Sequence, residues 1–222
     1  MTPRIRRPAG GPGGAGGLRS AGPRSLSRVS PAARVYLVRH GQTDRSARMI
    51  YSGRADIPLT ATGSDQARLA GERLAGTGVD AIYSSPLIRA QETGRAIAGA
   101  TGAAFVVEPR LIEVDYGPIE GLDRSAARAR FGERFEAWRT DPYGSPLPGM
   151  EALGDALDRA RSATSDAIAG HDCPVLVGHQ GILRLVLVAL GRIEPGDYFA
   201  TRLDEAEPIE IRNPTVVPPR QA

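Results

Sequence analysis

The stretch Val35–Thr43, with the sequence VYLVRHGQT, decides the fold that we predict for this chain. Its four apolar residues in a row, β-branched at both ends, predict a buried strand that is too short to be a helix. The strand places Arg39, His40 and Gly41 at its carboxyl end, which is where α/β sheets bind their ligands. An arginine is a permanent cation, and Gly41 allows a sharp turn close to a ligand. The triplet alone is weak support for catalysis, so the later motifs decide.

A second strand of the same kind, within Pro174–Arg184, ends in His179 and precedes an apolar helix to about Leu190. The other predicted elements are a helix from Thr60 to Leu74, strands at Val79–Tyr83 and Phe105–Val107, a helix at Met150–Gly170 and a strand near Glu207–Arg212. This alternation predicts an α/β fold, a three-layer sandwich with a mostly parallel central sheet flanked by helices. His40 and His179 are then expected at one edge of the sheet.

The charge is divided unevenly along the 222 residues. The first 34 residues hold seven arginines and no acidic residue, whereas the remaining 21 arginines face 25 acidic residues, a net charge of −4. Residues 1–33 are rich in Gly, Pro, Arg and Ser, and we expect a disordered tail there because it cannot bury enough apolar surface. We consider three interpretations of this tail: a functionless extension, an anion-binding segment and a targeting segment. We expect the folded domain at residues 34–212 and a flexible C-terminal tail at 213–222.

The composition excludes several chemistries. The chain has no lysine, so a Schiff base and a P-loop are excluded, and its single cysteine, Cys173, excludes an internal disulfide framework. The two strand-end histidines could suggest zinc, but the flanking arginines would repel a metal, so we expect no metal and no cofactor. The basic charge lies in the tail and no apolar run is long enough to span a bilayer. We therefore expect no nucleic-acid partner, no membrane and a cytoplasmic location.

The segment Ser84–Thr93 predicts an anion site. Ser85 fits an N-cap and Pro86 a first helical position, so Arg89 falls near the positive end of a helix. A helix N-terminus beside an arginine favours a phosphate group. An ordinary surface arginine is the alternative interpretation.

An acidic residue, Glu113, interrupts the apolar run that begins at Leu111. Apolar surroundings raise the pKa of a carboxyl group and keep it protonated as a general acid. Simple alternation of inward and outward side chains explains the pattern nearly as well. The polar region 118–149 that follows is expected to carry a helix beside the site. Four of its side chains are candidate substrate contacts, or else belong to a solvated face of the helix: Arg124, Arg128, Arg134 and Tyr143.

Five motifs in order resemble those of the histidine phosphatase superfamily, the fold shared with cofactor-dependent phosphoglycerate mutase. They are Val35–Thr43, Tyr51–Thr60, Ser84–Thr93, Leu111–Gly121 and Val175–Arg184, within a match from about residue 35 to 212. The resemblance implies that His40 is the nucleophile and forms a phosphohistidine. It implies that Arg39, Arg89 and His179 hold the phosphoryl oxygens and that Glu113 donates the proton.

Three further residues are implied in the phosphate pocket: Gln42, Ser46 and Gln180. Ser46 stands where the family often has asparagine, and its shorter side chain could weaken a phosphate contact. At the position of Gln180 the family commonly has glycine or alanine, and the glutamine here is similar to that of the members that resemble fructose-2,6-bisphosphatase. Neither departure removes a catalytic group.

The resemblance favours a phosphomonoesterase of the histidine acid phosphatase type, acting on a small phosphate ester such as a sugar phosphate. The shorter excursion before the second histidine and the absence of lysine argue against a phosphoglycerate mutase, which remains the alternative enzyme. A catalytically silent phosphate-binding module is the alternative from another class. A homodimer is compatible with the sequence.

Overall fold

The protein is described here by a computed structural model that covers residues 34–218, so the predicted tail at residues 1–33 and the last four residues of the predicted tail at 213–222 lie outside it. Five strands form one sheet: β1 Arg34–Arg39, β2 Ala81–Ser84, β3 Ala104–Val107, β4 Pro174–Gly178 and β5 Ile209–Arg212. The helices are α1 Asp44–Ala47, α2 Ala61–Leu74, α3 Ile88–Thr101, α4 Arg124–Phe131, α5 Glu133–Thr140, α6 Leu153–Gly170 and α7 Gln180–Ala189.

The sheet has the order β3-β2-β4-β1-β5, and only the pairing of β5 with β1 is antiparallel. Strands β1 and β4 are parallel neighbours, with Arg39 opposite Gly178. The amide of His40 extends this pairing by donating to the carbonyl of Gly178 at 2.9 Å. The predicted mostly parallel sheet is confirmed, and its connectivity places both strand-end histidines at the same edge.

Two apolar clusters lie on opposite faces of the sheet and make the three layers. Val35 and Leu37 belong to the cluster that contains side chains of α6 and α7, whereas Tyr36 and Val38 belong to the cluster on the side of α2 and α3. Successive side chains of a strand point to opposite faces. Burial on both faces therefore explains why β1 is apolar without interruption.

Two local features differ from the sequence patterns. No helix is predicted between β1 and Thr60, but the structure has the short helix α1 there, which begins with a capping box between Thr43 and Ser46. Helix α3 begins at Ile88 and has Leu87 as its N-cap, two residues later than the cap predicted at Ser85. The hydroxyl group of Ser85 instead has His179 as its closest hydrogen-bond partner.

The C-terminal segment, as far as residue 218, runs along the domain without regular secondary structure. The amide of Val217 donates to the carbonyl of Ala189 at 2.8 Å, and the side chain of Arg161 donates to the carbonyl of Val217. This part of the chain is attached to the far end of α7, away from the edge of the sheet that carries the histidines.

Candidate active site

His40 follows β1 directly and is 6% exposed. Its Nδ1 lies 2.7 Å from the carbonyl oxygen of Gly41, which can only accept a hydrogen bond. Nδ1 therefore carries the ring proton, and Nε2 carries the free lone pair. This is the tautomer that a histidine nucleophile requires.

His179 follows β4 and is 1% exposed, with its ring centroid 5.1 Å from that of His40. Here Nδ1 accepts a hydrogen bond from Nε of Arg89 at 3.1 Å, because a guanidinium group can only donate. The proton must then lie on Nε2, which donates to the hydroxyl oxygen of Ser85 at 2.7 Å. The two rings are therefore held in opposite tautomers.

Both histidines are neutral at pH 7. Burial first, and then the positive charges of Arg39 and Arg89, lower the pKa of His40 well below 6.5. Burial and the charge of Arg89 likewise lower the pKa of His179 well below 6.5. Protonation of either ring is disfavoured because it would add a buried positive charge beside existing positive charges. His40 consequently keeps its lone pair at neutral pH, and the site offers positive charge to an anion.

Arg39 is held from two sides while one of its nitrogens has no partner. One terminal nitrogen donates to Oε1 of Gln180 and to the carbonyl of Leu203, and the other lies 3.3 Å from Oε1 of Glu205. Its Nε is buried and makes no hydrogen bond within the described residues. A buried donor without a partner is costly, so this nitrogen is well suited to an incoming phosphate oxygen.

Arg89 is fully buried and held on all three nitrogens by protein atoms. Besides His179, it donates to the carbonyls of Ala55 at 2.7 Å and Gly53 at 2.9 Å. The predicted anion site at the start of α3 is occupied by the protein itself, because the amide of Ile88 donates to a carboxylate oxygen of Asp56 at 2.6 Å. Arg89 thus reaches the site through its charge and through its hold on His179.

Glu113 is 3% exposed and lies against the N-terminus of α7. Its Oε1 accepts from the amides of Val114 and Ile182 at 2.8 Å each, and its Oε2 accepts from the amide of Gly181 at 2.9 Å. Burial raises the pKa of Glu113, although these three amides act in the opposite direction. Because Oε2 accepts only one of the three bonds, it has the more available lone pair, and Glu113 lines the cavity.

The three remaining predicted site residues are placed differently. Ser46 and Gln180 line the cavity. The hydroxyl group of Ser46 also accepts a hydrogen bond from the amide of Thr43 in the capping box, and the side-chain oxygen of Gln180 accepts one from Arg39. The side chain of Gln42 accepts a hydrogen bond from Thr60 at 3.0 Å and is not among the residues that line the described cavity. Its backbone amide is held by Gln66 instead.

The cavity over His40 has a volume of about 840 Å³. It is lined by five arginines and three carboxylate side chains of the described chain: Arg39, Arg124, Arg139, Arg184, Arg202, Glu113, Asp204 and Glu205. The guanidinium carbon of Arg139 lies 4.0 Å from the ring centroid of Phe199, and its Nε is buried without a hydrogen-bond partner there. The lining therefore favours a ligand that carries negative charge on other groups besides its phosphoryl group.

Several residues of the site have no distinguishing signal in the sequence. Ser85, which binds His179, has the local pattern of a helix cap, and no local pattern distinguishes Arg139, Gln66 or Glu205, which line the cavity. Of the four residues proposed in the excursion, Arg124 lines the cavity. Arg128, in contrast, pairs with Glu136 on the surface, and Tyr143 and Arg134 do not line the cavity as described.

Residues 34–218 contain no group of three or more His, Cys, Asp or Glu side chains that could hold a metal ion. None of their helices is long and apolar enough to cross a membrane.

The chain is similar to known proteins across this whole domain. It is 34% identical over 187 residues to the 2,3-bisphosphoglycerate-dependent phosphoglycerate mutase of Azorhizobium caulinodans, covering 79% of this chain and 90% of that protein. The structure of a mycobacterial glucosyl-3-phosphoglycerate phosphatase in complex with VO3 superposes with a TM-score of 0.73 at 28% identity, covering 81% and 90% of the two chains. The α-ribazole phosphatase of Shigella flexneri gives a TM-score of 0.68 at 26% identity, covering 80% and 89%.

A family model described as the histidine phosphatase superfamily (branch 1) matches residues 35–212, the range that holds the sheet, both histidines and the cavity. Members of this superfamily are phosphatases or mutases. The chain therefore belongs to branch 1 of the histidine phosphatase superfamily.

Proposed function

We propose that the protein is a metal-independent phosphomonoesterase that hydrolyses a small phosphorylated metabolite through a phosphohistidine on His40. The observation that carries the proposal is the tautomer of His40, whose Nδ1 proton is fixed on the carbonyl of Gly41. The free Nε2 is buried in a positive environment at the floor of an anion-favouring cavity. Phosphoryl transfer needs positioning and charge stabilisation, and this arrangement provides both.

In the first step, Nε2 of His40 attacks phosphorus and the bond from phosphorus to the ester oxygen breaks. Glu113 gives its proton to the departing alkoxide, which leaves as an alcohol. Arg39 stabilises the negative charge on the transferred group by donating a hydrogen bond to one of its oxygens, and His179 does so when its Nε2 proton turns from Ser85 to another of these oxygens. In the second step, water attacks phosphorus, Glu113 takes a proton from it, and the bond from nitrogen to phosphorus breaks to release inorganic phosphate.

The charge of the cavity suggests the class of substrate. Arg124, Arg139 and Arg184 line it in addition to Arg39, so an ester whose alcohol part is itself acidic fits better than a neutral one. A volume of about 840 Å³ suits a small metabolite rather than a macromolecule. The mycobacterial relative is named for an acidic ester of this kind, glucosyl-3-phosphoglycerate.

A mutase-type phosphoryl transfer is the second candidate, because the same arginines would also suit a phosphoglycerate and one relative is named as a mutase. The length of the excursion does not separate the two, since the chain covers 90% of that mutase. Hydrolysis requires that water reach the phosphohistidine on His40. Residues 213–218 lie against Ala189 and therefore do not shield the cavity from water.

A panel of phosphorylated sugars and phosphorylated acids, assayed for phosphate release with and without excess chelator, tests the proposal. We expect release that the chelator leaves unchanged, and faster release from acidic esters. Incubation with 3-phosphoglycerate and 2,3-bisphosphoglycerate tests the second candidate through formation of 2-phosphoglycerate. Isomer formation that exceeds phosphate release would assign the mutase reaction. Binding of phosphate without turnover of p-nitrophenyl phosphate would assign a silent binding module.

A further inference from the structure

Glu113 stands on a stretch of chain, residues 112–116, that forms neither helix nor strand. Backbone groups in such a stretch need partners from elsewhere when they are buried. Val114 is 2% exposed and Tyr116 is 7% exposed, so much of this stretch is shielded from water. The side chains that form hydrogen bonds with the backbone of residues 112–116 therefore also determine the position of the Glu113 carboxyl group.

Arg159, on α6, binds two carbonyl groups of this stretch and one just before it. One terminal nitrogen donates to the carbonyls of Arg110 at 2.7 Å and Ile112 at 2.6 Å, and the other reaches the carbonyl of Glu113 at 3.3 Å. The remaining two donors form a fork on the carboxylate of Glu151, at 2.8 Å and 2.9 Å. All five N–H groups of this guanidinium are therefore used, and three of them hold the backbone at and just before Glu113.

Glu151 completes the grip on the other side of Glu113. Its carboxylate accepts from the amide of Asp115 at 3.1 Å, and its own amide donates to the carbonyl of Asp115 at 3.0 Å. Burial alone would raise the pKa of Glu151, but its hydrogen bonds and charge pairing with Arg159 lower it. The Arg159–Glu151 clamp is thus an ionised pair with one member bound to each flank of Glu113.

We propose that the Arg159–Glu151 clamp consists of positioning residues that hold Glu113 at the distance needed for proton transfer. The inference rests on the proposed function, since it assigns the clamp to the general acid of that reaction. Neither residue lines the cavity, so the clamp does not contact the substrate itself and positions the chain that carries Glu113. Proton transfer requires hydrogen-bond reach to the leaving oxygen, and a misplacement of about 1 Å can cost about 10²-fold in rate.

The clamp has a chemical signature that general loss of stability lacks. A poor leaving group such as an alkoxide depends on the acid, whereas p-nitrophenolate leaves readily without a proton. Displacement of Glu113 should therefore slow transfer from benzyl phosphate much more than transfer from p-nitrophenyl phosphate. The ratio of the two rates in one preparation does not depend on how much of the protein is folded.

The test uses Arg159→Lys, which keeps the charge but loses the planar fork and two of the five donors. Arg161→Lys is the matched control, because Arg161 lies two residues further along α6 and binds Asp158 and Val217 instead. Single-turnover formation of phosphohistidine is followed by rapid quench with benzyl phosphate and with p-nitrophenyl phosphate. Glu113→Gln gives the largest change in the ratio that loss of the acid can produce.

We expect Arg159→Lys to lower the benzyl rate relative to the p-nitrophenyl rate by about 10- to 100-fold, and Glu151→Gln to lower it in the same direction. Arg161→Lys should keep the wild-type ratio. A wild-type ratio in Arg159→Lys, together with a changed ratio in Glu113→Gln, overturns the positioning role and leaves the proposed function intact. Absence of phosphohistidine in the wild type overturns both.

Discussion

The ends of β1 and β4 carry the same residue in the same kind of place, yet they prepare it for different work. His40 and His179 are both buried, both neutral and only 5.1 Å apart between ring centroids. His40 donates a hydrogen bond from its Nδ1–H to a carbonyl oxygen and keeps the lone pair of Nε2 free. His179 accepts a hydrogen bond at Nδ1 from Arg89 and therefore carries its proton on Nε2.

This difference shows that a histidine's role is set by the group that binds its other nitrogen. A carbonyl oxygen produces a nucleophile, and a guanidinium produces a hydrogen-bond donor. The strand sequence determines only that a histidine stands there. The asymmetry of the partners, Gly41 on one side and Arg89 on the other, is what the following predictions test.

The largest effect is expected at the proposed nucleophile. His40→Ala should reduce turnover of the best substrate below detection, because in the proposed reaction the bond to phosphorus forms at its Nε2 and no other residue of the cavity is assigned that role. His171→Ala is the control, since His171 lies in a surface loop next to Asp80. Phosphate trapped on His40 by a quench that avoids acid is the direct measurement. Label on another side chain, or full activity in His40→Ala, would refute the assignment.

A smaller loss is expected at the donor. His179→Ala should lower kcat by roughly 10²–10³-fold, the usual effect of removing one donor to a developing negative charge. Phosphohistidine should still form, but slowly, which separates this variant from His40→Ala. Single-turnover kinetics on both variants provides the measurement. Complete loss of phosphohistidine in His179→Ala, with the fold intact by circular dichroism, would contradict a purely stabilising role.

Much of this asymmetry could not be predicted from the sequence. Apolar runs fix β1 and β4, and parallel pairing then brings His40 and His179 together, so the fold and the convergence of the histidines follow from local patterns. Tautomers depend on partners far away in the chain, as between Arg89 and His179. Ser85 shows the limit most clearly. A serine before Pro86 suits a helix cap, but its hydroxyl group is used by a histidine 94 residues away.

The shared property of the two histidines, their burial in the neutral form, predicts a pH dependence of stability. Because folding lowers both pKa values well below 6.5, the unfolded chain takes up protons below pH 6.5 that the folded protein does not. The free energy of unfolding is therefore undiminished above pH 6.5 and falls as the pH decreases below it. Each histidine contributes a slope of up to about 1.4 kcal/mol per pH unit.

Denaturant unfolding of the wild type and of His40→Gln between pH 8 and pH 5.5 measures this contribution. The variant should show a shallower decrease, since one of the two buried histidines is gone. Glu113 acts with the opposite sign, because its raised pKa makes its contribution decline as the pH rises above 4.5. It is present in both proteins and cancels to first order in the difference. Equal slopes would show that His40 is not held neutral.

The smallest expected effect isolates the bond that distinguishes His179. Ser85→Ala removes the acceptor of its Nε2 proton, so we expect a loss of about 10-fold or less in kcat/KM and of about 1–2 kcal/mol in stability, the cost of one buried unpaired donor. If Ser85 acts through His179, the same change in the His179→Ala background should cost nothing further in kcat/KM. Among the described residues, Ser85 makes no hydrogen bond with Gly41 or His40, so its removal should leave the tautomer of His40 unchanged. Kinetics of the two single variants and the double variant decide the point, since independent, additive losses would show that Ser85 contacts the substrate itself.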